Sequence, residues 1–81
     1  NKAMIVKTER WILTFYSVSG AMAVERFCKT KGLPGRLLPV PREISASCGL
    51  AWAVPTEEKD RLSEVMKNFP EEIEGAYQVK L

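Results

Sequence analysis

The segment Arg36-Leu-Leu-Pro-Val-Pro41 constrains the fold more than any other part of the chain. It is apolar enough for a strand, yet proline stands at alternate positions. In a strand the N–H groups of residues i and i+2 point to the same lateral side. Pro39 and Pro41 therefore remove donors from one edge only, which is tolerable where that edge faces solvent. The segment belongs at the border of a sheet, where its prolines also discourage pairing with other chains.

The remaining elements follow in order. Trp11-Ile-Leu-Thr-Phe-Tyr16 is apolar on both faces and rich in β-formers. It reads as a central strand covered on both sides, or covered by helices on one side and by a partner on the other. Ahead of it, Met4–Arg10 reads as a mixed lead-in and Asn1–Ala3 as a cloning remnant. The expected organisation is thus a lead-in over 1–10 and a single domain over 11–81. Ser17 or Ser19 supplies the N-cap of a helix running to about Lys31, with Ala21, Val24, Phe27 and Cys28 as its buried stripe. Gly32 ends that helix as a left-handed cap, and Pro34 follows.

After the edge strand and a loop over 42–47, Gly49-Leu-Ala-Trp-Ala-Val54 forms a third strand. Leu50, Trp52 and Val54 line one face and Ala51 and Ala53 the other; either face fits against the helices. Thr56 is the expected N-cap of a second helix, with Leu62, Val65, Met66 and Phe69 at helical spacing and Pro70 as the stop. An acidic loop, Glu71 to Gly75, leads to a last strand over 76–81.

The order is βαββαβ. The expected fold is α+β, a ferredoxin-like sandwich with antiparallel sheet order 4-1-3-2 and two helices on one face. That order puts the second strand at an edge, as its prolines independently require.

Composition removes several classes of function. The 81 residues are 46% hydrophobic and 27% charged, which fits one small globular domain. With 12 basic and 10 acidic residues interspersed, no basic stripe marks a nucleic-acid surface. No apolar run reaches the length of a membrane span, and nothing reads as a signal peptide. With two cysteines and no histidine, the chain cannot furnish a four-ligand structural zinc site or a histidine-dependent triad. Neither metal nor cofactor is implied. The lack of an export signal points to a cytoplasmic, reducing setting, so both cysteines are read as free thiols.

Chemistry then concentrates on Cys48, between Ser47 and Gly49. Small neighbours leave its sulfur accessible, and Gly49 permits backbone angles that other residues avoid. The alternative is a small apolar residue entering a strand. Cys28, on the helix stripe, reads as core. The topology brings the loop between the second and third strands to the end of the sheet where the first helix begins. Cys48 is therefore expected beside Ser17, Ser19 and Gly20, where a helix N-terminus lowers a thiol pKa. Arg42 would add positive charge there, and the acidic 71–75 loop would oppose it.

Four segments carry a resemblance: Trp11–Ser17, the turn Gly32-Leu-Pro-Gly35, Arg42-Glu-Ile-Ser45, and Ser47-Cys-Gly-Leu-Ala51. Together they resemble the selenium/sulfur carrier protein-like family of small prokaryotic domains, over nearly the whole chain from Trp11 through the second helix. The resemblance implies a non-enzymatic carrier that holds a persulfide or selenopersulfide on Cys48. It also implies donor and acceptor proteins as partners. Arg42 would then stabilise the thiolate or the outer chalcogenide, or simply be solvated. Ser45 and Ser47 would donate hydrogen bonds or merely shape the turn, and Glu43 reads as a surface residue.

Two other classes compete. RNA-recognition domains share the βαββαβ order, but their basic and paired aromatic residues are missing from Cys48–Val54. A dimeric interaction or small-ligand-sensing module asks nothing of Cys48. In that reading Trp11, Phe15 and Trp52 furnish an open apolar sheet face for a homodimer.

Overall fold

The computed structural model describes residues 9–44 and 46–80. Four strands and two helices follow one another as β1 (Glu9–Phe15), α1 (Val18–Lys31), β2 (Arg36–Pro39), β3 (Leu50–Pro55), α2 (Lys59–Asn68) and β4 (Ile73–Lys80). The strands form one antiparallel sheet in the order β2-β3-β1-β4, which is the order expected.

β2 lies at an edge, and its pairing explains the prolines. Val40 N–H donates to Gly49 O at 3.0 Å, continuing the β2–β3 ladder beyond Pro39↔Leu50. Exchange pairs alternate with non-bonded pairs along an antiparallel ladder. The nitrogen of Pro39 consequently points away from β3, where a donor is not needed. Pro41 lies just past the strand, which is shorter than the expected 36–41.

Ser17 caps α1: its backbone is extended and its Oγ accepts from Gly20 N–H at 3.1 Å. Ser19 lies inside the helix and is exposed. At the other end Gly32 adopts φ 71°, and Leu33 N–H closes the turn onto Cys28 O at 2.8 Å. Ala21, Val24 and Cys28 are buried, with Phe27 packed at their border.

The second helix begins differently from the expectation. Residues Thr56–Glu58 form a single 3₁₀ turn after Pro55, and α2 starts only at Lys59. Thr56 is not its N-cap, because its hydroxyl is buried without a hydrogen-bond partner rather than turned to the helix amides. The buried stripe is also narrower. Leu62 and Val65 face the sheet, whereas Met66 is exposed. Phe69 reaches the core border and meets Phe27 edge to face, centroids 5.3 Å apart, which ties the two helix ends together.

Both helices pack on one face of the sheet, against Leu13, Phe15, Trp52 and Val54. The face carrying Trp52, not the alanine face, thus meets the helices. This overturns the picture of Trp11, Phe15 and Trp52 as an open apolar surface. Phe15 and Trp52 are core, and half-buried Trp11 lies under the Lys59 ammonium, 5.0 Å from the ring centroid. The opposite face is buried within the chain as well: Ile12, Ala51 and Ala53 are closed off, with Leu38, Val40, Ile44 and Val79 packed around them. None of the described helices is long and apolar enough to cross a membrane.

β4 starts earlier than expected, at Ile73, so Ile73–Gly75 are strand rather than loop. The ladder with β1 tolerates this through an irregularity between Thr14 and Phe15, where Glu74 is the extra residue of β4. β1 likewise starts early, at Glu9, so residues 9 and 10 of the expected 1–10 lead-in belong to the first strand, while residues 1–8 and Leu81 lie outside the described residues.

The turn into β2 depends on Gly35. Its φ is 132°, and a Cβ there would stand 2.6 Å from the Trp52 indole. Gly35→Ala should therefore destabilise the fold by about 2 kcal/mol, through backbone strain and displacement of the largest core side chain. The urea midpoint would fall with an unchanged m-value; an unchanged midpoint would contradict this account.

Candidate functional site

The loop joining β2 to β3 is built from short-range constraints at both ends. Ile44 N–H donates to Pro41 O at 3.0 Å, closing a turn that carries Arg42 and Glu43 into solvent. Ile44 itself returns to the Ile12/Ala51/Ala53 face. At the far end, Cys48 packs against the helix-side core. The loop therefore straddles the sheet, with one apolar anchor on each face. Between these anchors Ala46 and Ser47 pass over the end of the sheet, and Ser45 lies outside the described residues.

Gly49 makes the return into β3 with φ 78°. A Cβ there would meet nothing within 4 Å, so its requirement is one of backbone conformation and not of space. The turn brings the Cys48 sulfur onto its own backbone. Sγ accepts from Leu50 N–H at 3.4 Å, and as a thiol it donates to Leu50 O at 3.6 Å. The first of these bonds survives loss of the thiol proton and is strengthened by it, since the acceptor becomes anionic. The second requires the proton. A thiolate at Cys48 thus keeps a fixed backbone donor. Cys48 is half-buried and unpaired.

The expected neighbours of Cys48 are met only in part. The β1–β3 ladder stops at Thr14↔Ala51, before it reaches Ser17 or Cys48. The hydroxyl of Ser17 is spent on capping α1, and none of the described hydrogen bonds joins Ser17 or Ser19 to the loop. What reaches the loop is acid. Glu74 accepts from Ser47 N–H and from Ser47 Oγ–H, each at 3.0 Å, one bond to each carboxylate oxygen. Glu72 occupies the start of α1, its carboxylate set where a Cβ on Gly20 would have to go, while its carbonyl accepts from Tyr16 N–H at 3.2 Å. Arg42 is exposed and makes no ion pair among the described residues.

Glu74 is the residue that sequence reasoning missed as a named member of this site. The sequence puts the acidic 71–75 stretch at this end of the sheet as a loop that opposes the thiolate, without singling out Glu74. Its bidentate hold on Ser47 depends on the irregular start of β4, which aims the side chain across β1.

A family model described as "Putative Se/S carrier protein-like" matches residues 10–78. The chain belongs to this family. No curated protein and no solved structure matches it. The Se/S carrier protein-like match runs from β1 almost to the end of β4, and so takes in the Cys48 loop and Glu74 together.

Cys28 is the contrasting thiol. It is fully buried, and burial, aided by the nearby negative charge of Glu64, pushes its pKa from 9.0 up to about 11. A folded-state pKa raised above the unfolded one means that the native state binds the proton more tightly. That contribution is complete below pH 9.0 and is lost as pH rises toward about 11. The stability difference between wild type and Cys28→Ala should therefore narrow by about 2 kcal/mol across that window, followed by urea titration at each pH. A constant difference would show that Cys28 does not titrate in the fold.

The Ser47–Glu74 contact has a separate readout. Glu74→Ala should speed amide hydrogen exchange at Ser47 about fivefold, the cost of an exposed hydrogen bond to a charged acceptor, and leave exchange in the centre of β1 unchanged. Equal Ser47 exchange in both proteins would remove Glu74 from the site.

Proposed function

We propose that this protein is a carrier of sulfur or selenium, held as a persulfide or selenopersulfide on Cys48. The fold is assigned to the ferredoxin-like sandwiches on its strand order and one-sided helices. Cys48 carries the reading because it is the thiol that solvent reaches, on a loop inside the matched family region, while Cys28 is closed in the core.

The transfer balances without an oxidant. The Cys48 thiolate attacks the outer chalcogen of a donor protein's persulfide, the donor's own thiolate leaves, and Cys48–S–SH or Cys48–S–SeH forms. A nucleophile on the acceptor then attacks the same outer atom and Cys48 thiolate is the leaving group. One chalcogen–sulfur bond breaks as another forms in each step. Leu50 N–H is the donor for the thiolate at both ends of the cycle. A neighbouring thiol would intercept the persulfide as a disulfide, and the burial of Cys28 supports its survival.

Arg42 is assigned to the outer chalcogenide, as a charged side chain on the same loop free to approach it. Gly49 shapes the turn, and Ser47 holds the loop to Glu74. Ser17 and Ser19 support the start of α1 rather than the sulfur. The partners are the donor and acceptor proteins, in the cytoplasm, and no turnover of its own is assigned to the carrier.

Incubation with a cysteine desulfurase and cysteine, or with a selenocysteine-derived selenium donor, should add one reducible sulfur or selenium atom, read by intact mass before and after dithiothreitol. Cys48→Ser should abolish the adduct and Cys28→Ser should retain it. Equal loading of wild type and Cys48→Ser would sink the proposal.

A further inference from the structure

The two edges of the sheet are not alike. β2 is blunted by its prolines, whereas β4 is eight residues long, free of proline, and unpaired on its outer side by any described strand. Its outward backbone groups can be assigned from the ladder phase. Val40 N–H bonded to Gly49 O makes Leu38:Ala51 and Arg36:Ala53 exchange pairs, so Leu50, Trp52 and Val54 turn their backbone groups to β1. Through the registers of β1, residues Arg10, Ile12 and Thr14 then bond β4 at Val79, Tyr77 and Gly75. Tyr16 N–H, donating to Glu72 O, keeps the same phase. Ala76, Gln78 and Lys80 are left with N–H and C=O groups facing outward.

We propose that this edge pairs antiparallel with β4 of a second copy, about a two-fold axis at Tyr77. A two-fold normal to the sheet requires paired residue numbers with a constant even sum, so that side chains meet on one face. With Tyr77 opposite Tyr77, Ala76 faces Gln78 and exchanges both backbone bonds with it, in the phase that the outward groups demand. The same register sets Gly75 against Val79, and it stacks the exposed Tyr77 rings at a non-hydrogen-bonded pair, where side chains lie closest. Shifting the axis to Gln78 keeps the hydrogen-bond phase but loses the tyrosine pair.

The surface is distinct from the parts of the two sheet faces over β1 and β3, which are closed within the chain. It also borders the candidate site, since Glu74 is the residue that holds Ser47. Pairing at a single edge buries less than a standard interface, so the dimer should dissociate on dilution.

Sedimentation velocity from low to high micromolar concentration should show the mass doubling. Gln78→Pro removes an outward donor and should leave a folded monomer, checked by circular dichroism. Tyr77→Glu should weaken the dimer about tenfold, because two carboxylates would then face each other across the axis. In a Cys48→Ser background, Tyr77→Cys oxidised with diamide should give a disulfide-linked dimer in high yield, and Gln78→Cys should not, because it faces Ala76. This crosslink decides the matter even if Gln78→Pro fails to fold. A monomer at every concentration, a dimer that persists in folded Gln78→Pro, or equal crosslinking at both positions would overturn the inference. None of these readouts depends on loading of Cys48.

Discussion

β1 is hydrogen-bonded to a neighbour along each edge and buried on both faces, and the rest of the molecule is placed by it. Leu13 and Phe15 on one side form the floor beneath both helices, and Ile12 with Thr14 on the other lie under the loop and strand residues that close the second face. A seven-residue strand with four fully buried side chains concentrates the hydrophobic stabilisation of a small domain in one element. It also fixes four directions at once: β3 on one edge, β4 on the other, helices above, and the Ile44 loop below. In a chain of 81 residues no second core is available to correct an error in this one.

The candidate site is a product of that arrangement. Ile44 is drawn to one face of the sheet and Cys48 to the other, so the intervening residues must cross the sheet end. Gly49 makes the return, and the start of β4 supplies Glu74 to hold Ser47. The loop is therefore not a free tether. Its thiol has a fixed backbone donor, Leu50 N–H, while its outer side is left to solvent, which suits a group that must be reached in turn by two different proteins.

Much of this was legible before the structure, and the reasons for the exceptions are specific. Pro39 and Pro41 place β2 at an edge because proline's missing N–H is a covalent fact that no tertiary context restores. Gly32 and Ser17 mark the ends of α1 for equally local reasons. Thr56 misled because a good capping residue after proline was free to form a 3₁₀ turn first, and packing then buried its hydroxyl. The start of β4 is hidden by Glu74 and Gly75, poor strand formers carried there by the pairing of Ile73 and Gly75 with β1. The face of β3 that meets the helices depends on Trp52 filling the space beside Gly35, a volume argument invisible to alternation alone. Topology alone gives Cys48 the positive end of a helix as its setting. Topology located the correct end of the sheet, but Glu72 and Glu74 occupy that region, and their reach is decided by an irregularity of a single residue.

That irregularity links the two surfaces of the molecule that have a use for a partner. On its inner side Glu74 holds the Cys48 loop through Ser47, and on its outer side the same stretch opens an unblunted edge. A carrier meets its donor and acceptor through the loop, so a homodimer built on the β4 edge leaves the thiol open at each end of the extended sheet. A dimer formed on the alanine face, by contrast, would have had to displace Ile44 and with it one anchor of the loop. Edge pairing is the mode of self-association that this fold can accept without dismantling its own site. The blunted β2 edge, on the far side of β3, keeps that association to two copies instead of an open ribbon.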